Sequence, residues 1–590
     1  MNTKDGVPLS RFRLSFLQLF VAFSLVDAQD DGASFIAQKE DYVKRIAFRA
    51  EMIDSDCTLL DNCSAECSRA VCYPLKEDLQ AYCARVQINN FCPPTESNQT
   101  CNRFMKVNYQ RSYLTLYPPG SPDDLRPEAI RDICLQRALD ATFMNISSKT
   151  EFSYVYFGSA SGVFRAFPGR ERQAGNDTAG ECGNYQLHRR PWYKNAISVQ
   201  KQLKILVDTG NSMGSELPPN YPPDAGSTLL EVSSNIVLKM LKTVSPDDFV
   251  DVATFNSSGY YPLGSQVQVS SSFDDSEDST ELAALEASVK DRLARSSPGL
   301  SNLTGAILNA VGTFRDAPAD TLKVIVIFTD GQFSPLTNTT ILTAQILAWP
   351  VKIILFKFPL SGETDPFLNT TLLPNFICGV QGTFELLDAV DSTRNPLYAI
   401  RSFYTFMART QLAVAKNQST WSARYLSYSQ PLNGTSVTYP AFGSDGQLIG
   451  VAGIDIYPEE FNSTLRDSVY RALETRTAKG NMPAPVASIN LACSYQTAVR
   501  SEKCNGSPSV ANGGVCKATD STGLQQRVCC DSCQLATTDS SSKKNLVLKV
   551  VLPLAVLIPL ILCIGYFLIR HCSGDGGGRD KPINNPPPDT

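Results

Sequence analysis

The chain has 590 residues, enough for two or three ordinary domains with full cores. Charged residues make up 19% of it and the formal net charge is -5, so nothing favours nucleic acid as a partner. With only two histidines, His188 and His571, no Ser-His-Asp hydrolase set can be assembled outside a membrane, and an enzyme is not expected.

Arg11 and Arg13 precede an apolar run from Leu14 to Val26, and Asp27-Ala28-Gln29 follow. That order describes a secretory signal peptide over residues 1–28. A helical and cysteine-rich region is expected over 29–149. Its apolar residues Phe35, Ile36, Val43, Ile46 and Ala47 recur at roughly helical spacing. The cysteines Cys57, Cys63, Cys67, Cys72, Cys83, Cys92 and Cys101 are irregularly spaced with no histidine nearby, which favours disulfides over zinc. Cys134 and Cys182 would supply partners for the odd one.

Tyr154 to Phe167 alternates and turns like an antiparallel hairpin, and leads to Tyr185 and the run Arg190-Pro191-Trp192-Tyr193. From Lys204 the pattern changes. Continuous apolar strands (Ile205–Val207, Phe249–Phe255, Leu322–Phe328, Val351–Phe358) alternate with helical stretches near Leu229–Leu241, Glu281–Leu293, Leu303–Phe314 and Thr340–Trp349. Such strands indicate a parallel sheet covered by helices on both faces. After about Ala415 the antiparallel character returns. Trp421 to Pro440 alternates, and Gly450 to Ile456 reads as a central strand. One domain, 203–412, is therefore expected to be inserted into another built from 150–202 and 413–465.

A second cysteine cluster, Cys493 to Cys533, places a cysteine-rich stalk and linker at 466–544. Val550 to Ile569 is continuously apolar and long enough to cross a bilayer. A transmembrane helix is expected at 545–569, with 570–590 as a cytoplasmic tail. Sixteen of the eighteen cysteines precede that span, as do twelve Asn-x-Ser/Thr sequons, among them Asn98, Asn145, Asn338, Asn417 and Asn462. These features point to a disulfide-bonded, glycosylated type I protein of the plasma membrane with its N-terminal domains extracellular.

A doubly wound sheet binds ligands at the carboxyl ends of its strands, at a switch point. Asp208 and Ser212 follow the first strand of the inserted unit. Ser301 lies in the loop Gly299-Leu300-Ser301-Asn302, and Asp330 in Phe328-Thr329-Asp330-Gly331. Two carboxylates, hydroxyls and water make a hard, oxygen-only site that selects Ca²⁺ or Mg²⁺. The segment resembles a von Willebrand factor A domain with its metal-ion-dependent adhesion site. The resemblance implies that Asp208 and Ser212 serve in the first metal loop, Ser301 in the second and Asp330 in the third. Gly210 stands where that family has a hydroxyl ligand, so water must fill the place and the metal should be held more weakly. Asn302 heads a sequon, but its position at a helix start argues against a glycan.

The second candidate site joins Arg190, whose fork suits a carboxylate, to aromatic rings suited to an ammonium. Asp455 would complete a zwitterion site; the plainer reading makes Trp192 and Tyr193 core aromatics and Arg190 a surface charge. Residues 150–200 with 415–460 resemble the two halves of an α+β Cache sensor domain. Tyr185, Arg190, Trp192 and Tyr193 match its amino-acid-binding form, and Tyr425 and Asp455 match by position. An A domain interrupting a Cache domain is similar to the calcium-channel alpha-2/delta family. The resemblance implies a non-catalytic auxiliary subunit that binds a membrane protein, such as a channel pore subunit, through its metal. The alternative is a receptor for a free amino acid.

Overall fold

The computed structural model describes residues 10–55, 101–102, 107–109, 112–117, 126–147, 154–170, 185–217, 228–269, 280–314, 321–336, 339–349, 351–358, 372–380, 382–387, 389–426, 433–443 and 446–477. Both expected cysteine clusters beyond Cys101, the stalk and the Val550–Ile569 run lie outside them. Among the described residues no helix is long and apolar enough to cross a membrane. The first helix, Ser10–Ser55, runs without a break across residue 28.

Strands β1 (Cys101–Asn102), β2 (Val107–Asn108) and β6 (Gly169–Arg170) form a small antiparallel sheet. A larger antiparallel sheet combines β3 (Tyr113–Leu116), β4 (Tyr154–Ser159) and β5 (Val163–Phe167) with three strands from far along the chain: β14 (Thr420–Trp421), β16 (Asn433–Phe442) and β17 (Leu448–Ile456). Their order is β14-β16-β17-β4-β5-β3, and β15 (Tyr425–Leu426) pairs with β16 at one edge. The pairing of β17 with β4, Asp455 opposite Tyr154 and Gly450 opposite Ser159, joins the two sequence segments. Gly450 and Gly453 leave room for the rings of Phe157 and Tyr156 on the neighbouring strand of that seam. One face of the sheet packs on the Ser10–Ser55 helix, where Ile36, Val43, Ile46 and Ala47 are buried beside Val437, Ile454 and Ile456.

Between β5 and β14 the chain forms the second large sheet. Strands β7 (Lys201–Asp208), β8 (Phe249–Asn256), β11 (Leu322–Thr329), β12 (Val351–Lys357) and β13 (Thr383–Leu386) run parallel in the order β8-β7-β11-β12-β13. Every residue of β7 and β11 is buried, as expected for strands covered on both sides. Val207, Val326 and Phe356 face the helix Leu229–Leu241, while Leu206, Ile327 and Leu355 face Leu303–Gly312 and Thr339–Ala348. The sheet is mixed, however. The strands β9 (Gly259–Pro262) and β10 (Val267–Gln268) add antiparallel pairs to β8, and being short and polar they carry no continuous apolar run to mark them in the sequence.

The chain leaves β7 toward β8 on one side and later crosses to β11 on the other. The switch point thus lies between the carboxyl ends of β7 and β11. The return into the antiparallel sheet is pinned near Asn395, whose amide donates to the Ser161 carbonyl at 2.9 Å, and Arg126 donates to the Arg394 carbonyl at 3.3 Å.

Candidate functional site

The switch point brings three loops together. Asp208 ends β7, is fully buried, and accepts three hydrogen bonds. Ser301 Oγ donates to Oδ1 at 2.5 Å, the Gly210 N–H to Oδ1 at 2.8 Å, and Thr329 Oγ1 to Oδ2 at 2.7 Å. Burial pushes its carboxyl up to about 6; these three donors oppose the shift and the neighbouring Asp330 charge adds to it. Asp330 is also fully buried, and burial raises its pKa against the Ser212 hydroxyl, the Gln332 N–H and the Lys357 ammonium. The Gln332 N–H donates to Oδ1 at 2.9 Å, while Oδ2 is buried with no donor in bonding geometry among the described residues.

Backbone bonds hold the loops in register. The Ser334 N–H donates to the Ser301 carbonyl at 2.9 Å and the Ser297 N–H to the Thr209 carbonyl at 2.7 Å. Asn302 caps the helix Leu303–Gly312 by accepting from the Gly305 N–H at 2.9 Å, so its side chain is engaged at the helix start. At Gly210, a Cβ would lie 2.7 Å from Ser301 Oγ and 3.1 Å from Asp208 Oδ1. Its absence lets Ser301 reach Asp208 directly. The departure from the A-domain pattern thus has a steric consequence as well as the loss of an oxygen.

The donor set is two carboxylates and three hydroxyls, with Thr329 the residue that sequence reasoning left out although it sits inside the quoted Phe-Thr-Asp-Gly run. Among the described residues no group of three or more His, Cys, Asp or Glu side chains converges. A cation here would rest on hydroxyl and water oxygens beside Asp208 and Asp330. The uncompensated Asp330 oxygen and the mutual repulsion of the two carboxylates fit a hard divalent ion.

The other candidate residues meet on the antiparallel sheet. Asp455, partly buried on β17, gathers four hydroxyls: Tyr156 at 2.5 Å, Ser436 at 2.6 Å and Tyr425 at 3.4 Å to Oδ1, and Tyr457 at 3.2 Å to Oδ2. Burial raises its pKa and the four donors oppose the shift. Next to it, Trp192 Nε1 donates to the Tyr185 hydroxyl at 3.0 Å, and the Tyr156 and Trp192 rings meet edge-on at 4.7 Å. The Arg190 guanidinium lies over the Tyr185 ring, 4.8 Å from its centroid. Arg190 precedes the short helix Pro191–Ile197, started by Pro191, so the helix sets the guanidinium and Trp192 on the same cluster.

Tyr193 is placed differently. Its ring packs edge-on against His188 at 5.0 Å, and its hydroxyl faces Tyr404 and Asp132 rather than Asp455. Its ring also meets the Trp192 ring edge-on at 5.4 Å, so it borders the cluster through its ring and not through its hydroxyl. Tyr156, Ser436 and Tyr457 were missed because their strand positions alternate with ordinary core residues. His188 is buried, bonded to the Ala160 carbonyl at 3.1 Å, and burial lowers its pKa to about 4. An open groove between Ser10–Ser55 and Asp140–Ser147, lined by Tyr42, Arg45 and Arg49, contains none of the candidate residues.

No protein-family model matches the chain. Over 152 residues it is 32% identical to the human voltage-dependent calcium channel subunit alpha-2/delta-2, covering 26% of this chain and 12% of that protein. It is 22% identical to the rat alpha-2/delta-3 subunit over 359 residues, 58% of this chain and 30% of that one. The human alpha-2/delta-4 subunit gives 22% over 380 residues, 60% and 30%. The chain thus spans less than a third of the length of these curated relatives. Among solved structures, a von Willebrand factor type A protein from Catenulispora acidiphila is 16% identical, with 44% of this chain and 57% of that one covered at a TM-score of 0.26.

Proposed function

We propose that this chain, a relative of the voltage-dependent calcium channel alpha-2/delta subunits, is a non-catalytic, membrane-anchored surface protein that binds a membrane partner through a divalent cation. Asp208, Ser212, Ser301 and Asp330 would hold the cation, with Thr329 steadying Asp208. When bound, a Ca²⁺ or Mg²⁺ ion would supply an open coordination position for a partner carboxylate. The carrying observation is the pair of buried carboxylates at the switch point between β7 and β11, of which Asp330 Oδ2 accepts no hydrogen bond in bonding geometry among the described residues. The chain's own residues exclude water from that pair and aim hydroxyls at it. The partner class that the relatives' names suggest is a calcium-channel pore subunit.

An enzymatic reading is not favoured: His188 is engaged with the Ala160 carbonyl in the core, and the Ser301 and Ser436 hydroxyls beside the carboxylates are engaged in holding Asp208 and Asp455. Co-purification from native membranes tests the proposal. A pore-forming partner retained in Mg²⁺ and released by chelator is expected; a partner that stays bound in chelator opposes it.

The cluster around Asp455 supports a second reading, an amino-acid pocket. Arg190 would take the ligand carboxylate and Asp455 the ammonium, with Tyr185, Trp192 and Tyr425 around it. The ligand amine would have to displace hydroxyls from Asp455, so binding should be selective and modest. A thermal-shift screen of free amino acids, repeated with Arg190→Ala, decides it: no shift in the unaltered chain rejects the pocket.

A further inference from the structure

A buried cationic side chain also reaches the switch point. Lys357 ends β12, beside the β11 end that carries Asp330, and its backbone pairs in register with Thr329. It is only 1% exposed, which is rare for a lysine. Its side chain crosses over Gly331: a Cβ at that residue would lie 2.3 Å from Lys357 Cε and 3.3 Å from Nζ. Gly331 also has φ +86°, so both its backbone and the lysine above it require glycine. The ammonium is thereby carried into the Asp330 loop, where it attracts the Asp330 charge.

Among the described residues, the loops bring together two carboxylates that repel each other, neutral hydroxyls and this ammonium. We propose that Lys357 is a tethered counter-ion of the metal loops: it holds them closed without a divalent cation and weakens the cation's grip when one binds. The inference rests on the metal reading above. A divalent ion would meet a site of net charge minus one instead of minus two, and would be repelled by the ammonium in a water-poor environment where charges act strongly. Gly210 and Lys357 then act in the same direction. The first lets Ser301 close on Asp208, and the second steadies Asp330, so both favour a loop set that is ordered before a cation arrives. Such a site would belong to the weak class of extracellular modules, about 10⁻⁴ to 10⁻³ M.

Isothermal titration of the purified full-length chain with MgCl₂ and with CaCl₂ tests this, comparing wild type, Lys357→Met and Lys357→Arg. The Met variant should bind about tenfold more tightly or better, because a buried unit charge opposing the ion is gone. The Arg variant should stay close to wild type. In chelator the Met variant should melt below wild type and regain more on adding Mg²⁺, a response that lost packing alone would not give. If the Met variant does not fold, Lys357→Gln replaces it. Equal affinities in wild type and a folded, uncharged variant would overturn the role of Lys357 and leave the metal site standing. No binding heat in any of the chains would overturn both.

Discussion

The two large sheets each place buried carboxylate chemistry at a focal point, but they satisfy it differently. On the antiparallel sheet, Asp455 stands alone and four hydroxyls from β4, β15, β16 and the end of β17 answer both of its oxygens. On the parallel sheet, Asp208 and Asp330 face each other from two strand ends; Asp208 is satisfied, whereas one Asp330 oxygen has no donor in bonding geometry among the described residues. The first arrangement is complete without a ligand. The second has surplus negative charge that a cation would complete. A carboxylate in a hydroxyl cage therefore serves stability first, while a pair of carboxylates at a switch point is built for something that arrives.

The largest effect expected from this contrast is at Asp455. Replacing it with Leu strands four hydroxyls that were paired, and should cost about 2–4 kcal/mol of stability. Chemical unfolding monitored on the full chain would detect it; an unchanged midpoint would mean the cage is not structural.

Acid should separate the two regions next. His188 bonds to the Ala160 carbonyl in the turn between β4 and β5, and burial lowers its pKa to about 4 from an ordinary 6.5. A base with a depressed folded pKa contributes stability above its unfolded pKa, and that contribution is lost as pH falls from about 6.5 to 4. The stability difference between wild type and His188→Gln should therefore shift against wild type across that window, by up to about 3 kcal/mol. A pH-independent difference would show that the buried imidazole does not titrate with folding.

A smaller effect is expected from Tyr156→Phe, which removes one of Asp455's four donors and should cost about 1 kcal/mol. It should also leave any response to divalent ions unchanged, since Tyr156 touches only the antiparallel site. Smallest is Gly210→Ser. The added side chain must push Ser301 off Asp208, lowering the melting temperature in chelator by a few degrees, about 1 kcal/mol, while supplying another oxygen that tightens divalent binding. A variant that melts lower but binds no better would show that Gly210 serves packing alone.

Much of this was legible in the sequence, for reasons the residues make plain. Continuous apolar runs such as Val324–Phe328 can only be buried on both faces, so the parallel sheet and its helices could be read directly. The strand ends then fixed where Asp208, Ser301 and Asp330 had to meet. Edge strands β9 and β10, short and polar, gave no such signal. The cluster around Asp455 was half legible. Tyr185, Arg190, Trp192, Tyr425 and Asp455 do come together, Tyr193 borders them through its ring against Trp192, and Tyr156, which makes the shortest bond to Asp455, was hidden in an ordinary-looking strand. Lys357 escaped notice because a lysine after an apolar strand usually marks the surface, and only the glycine at 331 makes room for it to fold inward.

The central claim is that the Asp208–Asp330 pair is completed by a divalent cation. Thermal melting of the full-length chain with and without Mg²⁺, for wild type and for the double variant Asp208→Asn with Asp330→Asn, tests it most directly. Mg²⁺ is expected to raise the wild-type melting temperature and to leave the double variant unmoved. A wild-type chain indifferent to Mg²⁺ and Ca²⁺, or a double variant that responds equally, would contradict it.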